Sequence, residues 1–187
     1  EVYATQVAWS PDGTRLASAI GDVQIWNSST GALVKRLFPD VSGTSTVNQI
    51  AWSPNGQYLA MTGDGAKVVI WSTLDWNRIQ TISFQAGPLA WSPDSTRLAV
   101  GTLSGSVKIL AISTGNVVLT YEGQDQQGSQ ALAWSPDGKR IVSASGLSIQ
   151  IWSATSGLKL FTYAGQTGNT QGNPSLGNLA WSPDGQH

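Results

Sequence analysis

The sequence predicts an all-β protein assembled from repeated four-stranded antiparallel sheets, on three observations. The phrase Ala-Trp-Ser-Pro-Asp-Gly, with at most one change, occurs five times: at Ala8 to Gly13, Ala51 to Gly56 with Asn55 for Asp, Ala90 to Ser95 with Ser95 for Gly, Ala133 to Gly138, and Ala180 to Gly185. Its tryptophans, Trp9, Trp52, Trp91, Trp134 and Trp181, are spaced by 43, 39, 43 and 47 residues, a period that belongs to stacked supersecondary units. Between the phrases lie short runs of strand character separated by turn residues. Some, such as Val68-Val69-Ile70-Trp71, are continuously apolar and so demand burial on both faces.

The second repeat shows the elements in order. Strand a, Val47 to Trp52, ends in the turn Ser53-Pro54-Asn55-Gly56; strand b, Tyr58 to Met61, stops at Gly63-Asp64-Gly65; strand c is Lys67 to Trp71; strand d is Arg78 to Phe84. In the Ser-Pro-Asp-Gly turn, Pro presets φ near about −65°, Asp bonds nearby backbone N–H groups and Gly takes positive φ, with a bulge expected at the Gly. Ser95 should therefore bring strain or a different local turn. The Trp that closes strand a is expected to fill the space between neighbouring sheets.

The other repeats align on the same plan, giving units of about 2–38, 47–84, 86–121 and 129–163, followed by a fifth strand a at about 176–181. Strand c of the third repeat has Leu110 where the others have Trp26, Trp71 and Trp152. A four-stranded meander covered on both faces by its own copies is a blade of a β-propeller or a layer of a linear stack, and the short strands favour the propeller.

Composition narrows the function. At 40% hydrophobic and 11% charged residues the chain is a folding domain with a weakly charged surface. Ten Lys+Arg against eleven Asp+Glu, with no basic run, leave nothing to neutralise phosphates or anionic lipid, so nucleic acid and membrane are not expected partners. Cysteine is absent, which removes disulfides and thiolate sites. Glu1-Val2-Tyr3 shows neither an initiator Met nor a signal pattern, as expected of a processed or excised segment.

The five turn phrases, the pairs Ile25-Trp26, Ile70-Trp71 and Ile151-Trp152, and the turns Thr30-Gly31, Thr114-Gly115 and Ser156-Gly157 resemble the WD-repeat β-propeller family, in particular repeats of bacterial type. The resemblance covers essentially the whole chain and implies a non-catalytic scaffold that displays loops to protein or peptide partners. Two departures stand out. The Trp-Asp dipeptide is replaced by Trp26-Asn27, Trp71-Ser72, Leu110-Ala111 and Trp152-Ser153, and the only histidine is His187. The Asp-His-Ser/Thr-Trp network that the resemblance implies cannot form; Asp22 and Asp64 stand in the b–c turns instead, and the strand c indoles are expected at a polar or exposed end. The family's rings of seven or eight blades make this chain about half a ring. Its end faces then call for further blades in a longer polypeptide, a second copy completing a ring, or copies joined head to tail; a closed four-bladed ring fits the repeat poorly.

No catalytic, metal or cofactor motif is present: there is no Gly-x-Ser-x-Gly elbow, P-loop, His-Glu-x-x-His or EF-hand pattern. Asp12, Asp94, Asp137 and Asp184 are turn residues by position. Gly63-Asp64-Gly65 reads as a hairpin turn, and Asn27-Ser28-Ser29, although a glycosylation pattern, as a c–d turn. The connections from strand d to the next strand a vary most in length, and variable loops on a rigid scaffold are where binding concentrates. The candidate interaction residues are Gln124, Asp125, Gln126 and Gln127 in one loop and Gln166, Asn169, Gln171 and Asn173 in another. The self-assembling alternative places Leu176, Leu179 and Trp181 on a strand that completes a neighbour.

Overall fold

The structure, a computed structural model, describes residues 6–19, 21–38, 47–63, 67–123, 128–129, 131–146, 148–163 and 178–187. It is all-β, and among the described residues there is no helix. Four sheets of four antiparallel strands follow one another along the chain, each in sequence order. Blade 1 is β1 (Gln6–Trp9), β2 (Arg15–Ala19), β3 (Val23–Asn27) and β4 (Leu33–Leu37); blade 2 is β5 (Val47–Trp52), β6 (Tyr58–Gly63), β7 (Lys67–Ser72) and β8 (Arg78–Ser83). Blade 3 is β9 (Ala86–Trp91), β10 (Arg97–Thr102), β11 (Val107–Ala111) and β12 (Val117–Tyr121); blade 4 is β13 (Ala131–Trp134), β14 (Arg140–Ser145), β15 (Ser148–Ser153) and β16 (Lys159–Tyr163). The chain divides into two compact units, Glu1–Ala86 and Gly87–His187.

The repeated phrase forms the turn its residues dictate. In the first copy Gly13 N–H donates to Ser10 O at 2.9 Å, and the Ser10 hydroxyl donates to Asp12 Oδ1 at 2.6 Å. Asp12 Oδ1 also accepts the Thr14 N–H, at 3.0 Å. Gly13, Gly56, Gly138 and Gly185 take φ between 69° and 70°. Ser95 keeps the same turn, with Ser95 N–H to Ser92 O at 2.9 Å, and accepts a φ of 60°. The strain expected there resides in that left-handed backbone, which disfavours any side chain with a Cβ. The bulge expected at the turn glycine lies elsewhere. In every blade the register shifts between strands c and d, within Ile25/Trp26, Ile70/Trp71, Ile109/Leu110 and Ile151/Trp152.

The strand c tryptophans meet the polar half of their expectation, not the exposed half. Trp71 and Trp152 are buried, 3% and 0% exposed, rather than placed at an exposed end. The polar partner in blades 1 and 4 is a strand b serine: Trp26 Nε1 donates to Ser18 Oγ at 2.9 Å and Trp152 Nε1 to Ser143 Oγ at 3.1 Å. A serine hydroxyl satisfies the indole N–H within one blade, and no histidine is needed.

Within each unit one clasp joins consecutive repeats. The indole of the phrase donates backwards to the alanine carbonyl of the preceding phrase: Trp52 to Ala8 O at 3.1 Å, Trp134 to Ala90 O at 2.9 Å and Trp181 to Ala133 O at 3.1 Å. An arginine at the start of strand b reaches forwards. Arg97 lies 4.8 Å above the Trp134 ring and Arg140 4.8 Å above Trp181, while Arg15 lies 5.2 Å above Trp76, whose ring meets Trp52 edge-on. The same guanidinium groups donate to main-chain carbonyls, Arg15 to Thr73 O at 3.2 Å, Arg97 to Ala154 O at 3.2 Å and Arg140 to Gly185 O at 2.6 Å. Only a planar guanidinium can stack and donate in its own plane at once, so lysine would not serve.

The fifth phrase completes its turn, with Ser182 N–H to His187 O at 2.7 Å, and packs on blade 4 through Trp181. Residues 178–181 nevertheless carry no strand ladder, so the strand expected at 176–181 is not formed over its described part. A strand needs successive ladder bonds to a neighbour, and the bonds of this segment are those of a turn and a clasp.

Candidate functional site

The first unit has a groove of about 570 Å³ over the turns of blades 1 and 2. Its walls are the a–b turn of blade 1, with Asp12 and Arg15, the a–b turn of blade 2 from Asn55 to Tyr58, and the c–d turn of blade 2 from Ser72 to Leu74. Each wall is held from within. Arg15 bonds Thr73 O, the Thr73 hydroxyl donates to Gly56 O at 2.6 Å, and Thr73 N–H donates to Gln57 O at 2.9 Å. Asn55 reproduces the aspartate turn without its charge: Ser53 Oγ donates to Asn55 Oδ1 at 2.7 Å and Gln57 N–H to the same oxygen at 3.0 Å. Leu74, 93% exposed, stands on the rim.

The electrostatics suit binding rather than proton transfer. The Ser10 hydroxyl first, then the Thr14 N–H, hold the Asp12 carboxyl down at about 2, so it is a fixed negative charge and a feeble base at neutral pH. Asp75, beside the rim, is likewise lowered, chiefly by the Ser72 hydroxyl. Asp94, Asp137 and Asp184 are lowered in the same way by Ser92, Ser135 and Ser182. All four phrase aspartates are thus turn locks, as their positions implied. Among the described residues no group of three or more His, Cys, Asp or Glu side chains converges to hold a metal. The groove offers a mixed polar floor with one acid and one base, and a leucine at its lip.

The sequence-based candidates fall differently. Gln124, Asp125, Gln126, Gln127, Gln166, Asn169, Gln171, Asn173 and Leu176 lie outside the described residues, as does Asp64. Leu179 and Trp181 are described and line an opening of about 250 Å³ on blade 4, together with Val142, Ile149, Ile151 and Tyr163. The groove was missed because the a–b and c–d turns were read as architecture alone. One signal for part of it was present: Arg15, Arg97 and Arg140 each follow a phrase tryptophan by six residues, with Tyr58 at that offset in the second repeat and His187 in the fifth.

Comparison with known proteins now adds to the geometry. Residues 72–130 match the family model of the anaphase-promoting complex subunit 4 WD40 domain, and residues 35–72 and 115–153 match the WD domain, G-beta repeat. Protein HIR1 of Cryptococcus neoformans is 36% identical over 118 residues, covering 57% of this chain and 13% of that protein. Apoptotic protease-activating factor 1 of Homo sapiens is 30% identical over 188 residues, covering 95% of this chain and 14% of that protein. A component of chromatin assembly factor 1 from Saccharomyces cerevisiae is 25% identical over 194 residues, covering 77% and 41% respectively. The chain therefore spans less than half the length of each of these relatives, which are eukaryotic where the phrase had pointed to bacterial repeats. A chain of the crystal structure of the mitotic checkpoint complex superposes with a TM-score of 0.79 at 22% identity, covering 98% of this chain and 61% of that one, a likeness of fold. Phrase, clasp, four-stranded meander and family match agree: this chain belongs to the WD-repeat family and is built of its β-propeller blades.

Proposed function

We propose that the chain is a non-catalytic protein-interaction scaffold, and that the groove beneath Leu74 receives an extended segment of a protein partner. The observation that carries this reading is the groove itself: an opening of about 570 Å³ whose walls are cross-braced turns. Rigid walls spare a ligand the entropic cost of ordering them. The Asp12 charge, the Arg15 guanidinium and the Leu74 side chain supply one contact each of three different kinds, which suits a peptide better than a uniformly charged or uniformly apolar ligand. Relatives and a structural neighbour that carry the names of assemblies, a chromatin assembly factor and a mitotic checkpoint complex, support the scaffold reading. The loops at Gln124 to Gln127 and Gln166 to Asn173 are a second proposed contact, since their lengths vary on a regular scaffold.

The test is selection of peptides from a displayed library on the immobilised chain, followed by measurement of their affinity for Leu74→Asp. Leu74 is almost wholly exposed, so the substitution leaves the melting temperature unchanged, and affinity should fall at least tenfold. Peptides that bind the variant as tightly as the parent chain place the partner elsewhere and overturn the groove assignment.

A further inference from the structure

The arginines that open strand b follow one plan, and Arg15 departs from it. Arg97 Nη1 donates to Ala154 O at 3.2 Å while its Nη2 turns to Gly138 O at 3.5 Å, and Arg140 Nη2 donates to Gly185 O at 2.6 Å. Arg15 makes the first of these bonds, Nη1 to Thr73 O at 3.2 Å, and not the second. The glycine carbonyl that would take its Nη2, Gly56 O, is occupied by the Thr73 hydroxyl at 2.6 Å; blade 4 has Ala154 at that position and no hydroxyl to offer. Among the described residues Arg15 Nη2 and Nε therefore bond no protein atom, and the side chain lines the groove over blades 1 and 2.

Two further departures act on the same guanidinium. In the c–d turns of blades 1, 3 and 4 the positive-φ residue is a glycine, Gly31, Gly115 or Gly157, at 69° to 71°; blade 2 places Trp76 there at 59°. That backbone disfavours a residue with a Cβ, and strain of this kind gathers where a function needs the side chain. Trp76 takes Arg15, whose guanidinium lies 5.2 Å over its ring, whereas Arg97 and Arg140 lie 4.8 Å over the phrase tryptophans Trp134 and Trp181. The facing wall has lost its charges as well. Asn55, Gln57 and Tyr58 stand where blade 4 has Asp137, Lys139 and Arg140, so Arg15 is the one cation among the described residues lining the groove. Asp12 does not consume that charge: its oxygens accept from Ser10 and Thr14, and Arg15 is the least of the influences that lower it.

We propose that Arg15 is the anchor of the groove and that it receives the carboxylate of an aspartate or glutamate side chain carried by the extended partner segment. This rests on the reading of the groove as a peptide site and adds the chemistry the peptide must bring. A guanidinium presents parallel N–H donors at the spacing of carboxylate oxygens, and Nε and Nη2 of Arg15 form such an edge. One guanidinium in a groove that also holds the fixed charge of Asp12 matches a monoanion. A phosphate dianion would call for a second cation, and Gln57 and Tyr58 stand where blade 4 has Lys139 and Arg140. Thr73 is the positioning residue: by occupying Gly56 O it keeps the anchoring edge of Arg15 open.

The test uses the 187-residue chain and C-terminally amidated peptides, drawn from a displayed random library, whose affinity falls at least tenfold on Leu74→Asp. Each peptide is compared with a form in which Asn or Gln replaces its Asp or Glu. The parent chain should prefer the acidic form at least tenfold. Thr73→Ala should abolish that preference, because Arg15 Nη2 then closes on Gly56 O as Arg140 closes on Gly185 O. Thr73→Ser should restore it, since Ser28 makes the equivalent hydroxyl bond to Gly13 O at 2.8 Å in blade 1. Arg15→Gln, read in parallel, should abolish the preference without touching Thr73, and a melting curve shows each variant to be folded. Leu74-dependent peptides that lack an acidic residue, or that bind in acidic and amide forms alike, overturn this proposal and leave the groove reading standing. An acid preference that survives both Thr73→Ala and Arg15→Gln also overturns it, and a selection that yields no Leu74-dependent peptide overturns both readings.

Discussion

Trp26 and Trp152 have the same strand position, the same serine partner and the same glutamine two residues before, yet Trp152 is fully buried and Trp26 is not. What differs is the neighbour: Tyr121 stacks on Trp152, and nothing described stacks on Trp26. In these two blades the socket, an indole with its serine and glutamine, is prepared from within, and full burial of the indole comes with the tyrosine of the preceding strand d. The local hydrogen bonds set orientation, while the apolar and aromatic contact between blades supplies most of the stabilisation, since an indole removes about 200 Å² from water at ~25 cal/mol per Å².

Three experiments would break or sharpen that contrast, all by urea or thermal unfolding in dilute protein. The largest effect is expected from removing the rings. Trp152→Ala should cost about 3 to 5 kcal/mol, the range for a buried aromatic, and Trp26→Ala about half of that or less. Equal losses would show that the neighbour's contribution is small. Next come the tyrosines. Tyr121→Phe keeps the stack and removes the donor to Gln150, an acceptor only 4% exposed, for an expected loss of about 1 to 2 kcal/mol, whereas Tyr163→Phe should change stability by less than about 0.5 kcal/mol. Burial raises the Tyr121 phenol above its ordinary value, which keeps it a neutral donor at working pH.

The smallest effect is expected from acid, and it should not distinguish the two blades. Asp12 in blade 1 and Asp137 in blade 4 both have folded-state values below the ordinary 3.8, each held down first by the hydroxyl of its turn serine. Carboxylates lowered in the folded state add stability that is complete above their unfolded value and is lost as pH falls through the folded one. For Asp12 the loss therefore runs from about pH 4 down to about 2. Asp12→Asn and Asp137→Asn should each flatten the melting temperature in this window, as the natural Asn55 already does for its own turn. A flattening confined to one of the two would show that the turns are not equivalent.

These contrasts mark what could be read before any coordinates. The four blades were accessible because the information is local: Pro, Asp and Gly state the turn, and the apolar runs state the strands. The clasp was half accessible, since the tryptophans stood out by their number while Arg15, Arg97 and Arg140 looked like ordinary strand residues. The Tyr121 socket was hidden for a physical reason. Its members lie 29 residues apart, on strand d of one repeat and strand c of the next, and alternation assigns a side chain to a face without saying which sheet meets that face. The Ile-Trp bulges were misplaced for a similar reason, because the glycine that usually marks a bulge is absent from them and the shift arises from the mismatch of two paired strands.

The clasp also bears on how such an array changes in length. The phrase of blade 4 presents both fittings at once, the Ala133 carbonyl accepting from Trp181 and the Trp134 N–H donating to Ala90 O, so a repeat of this kind duplicated beside it leaves each of these fittings with a mate. At a junction of this kind copy number can therefore change by a whole repeat without leaving a fitting unmated. The sockets work against that freedom: a blade ending in Tyr121 is interchangeable only with one that faces glutamine and tryptophan, so the order of the repeats is constrained even where their number is not.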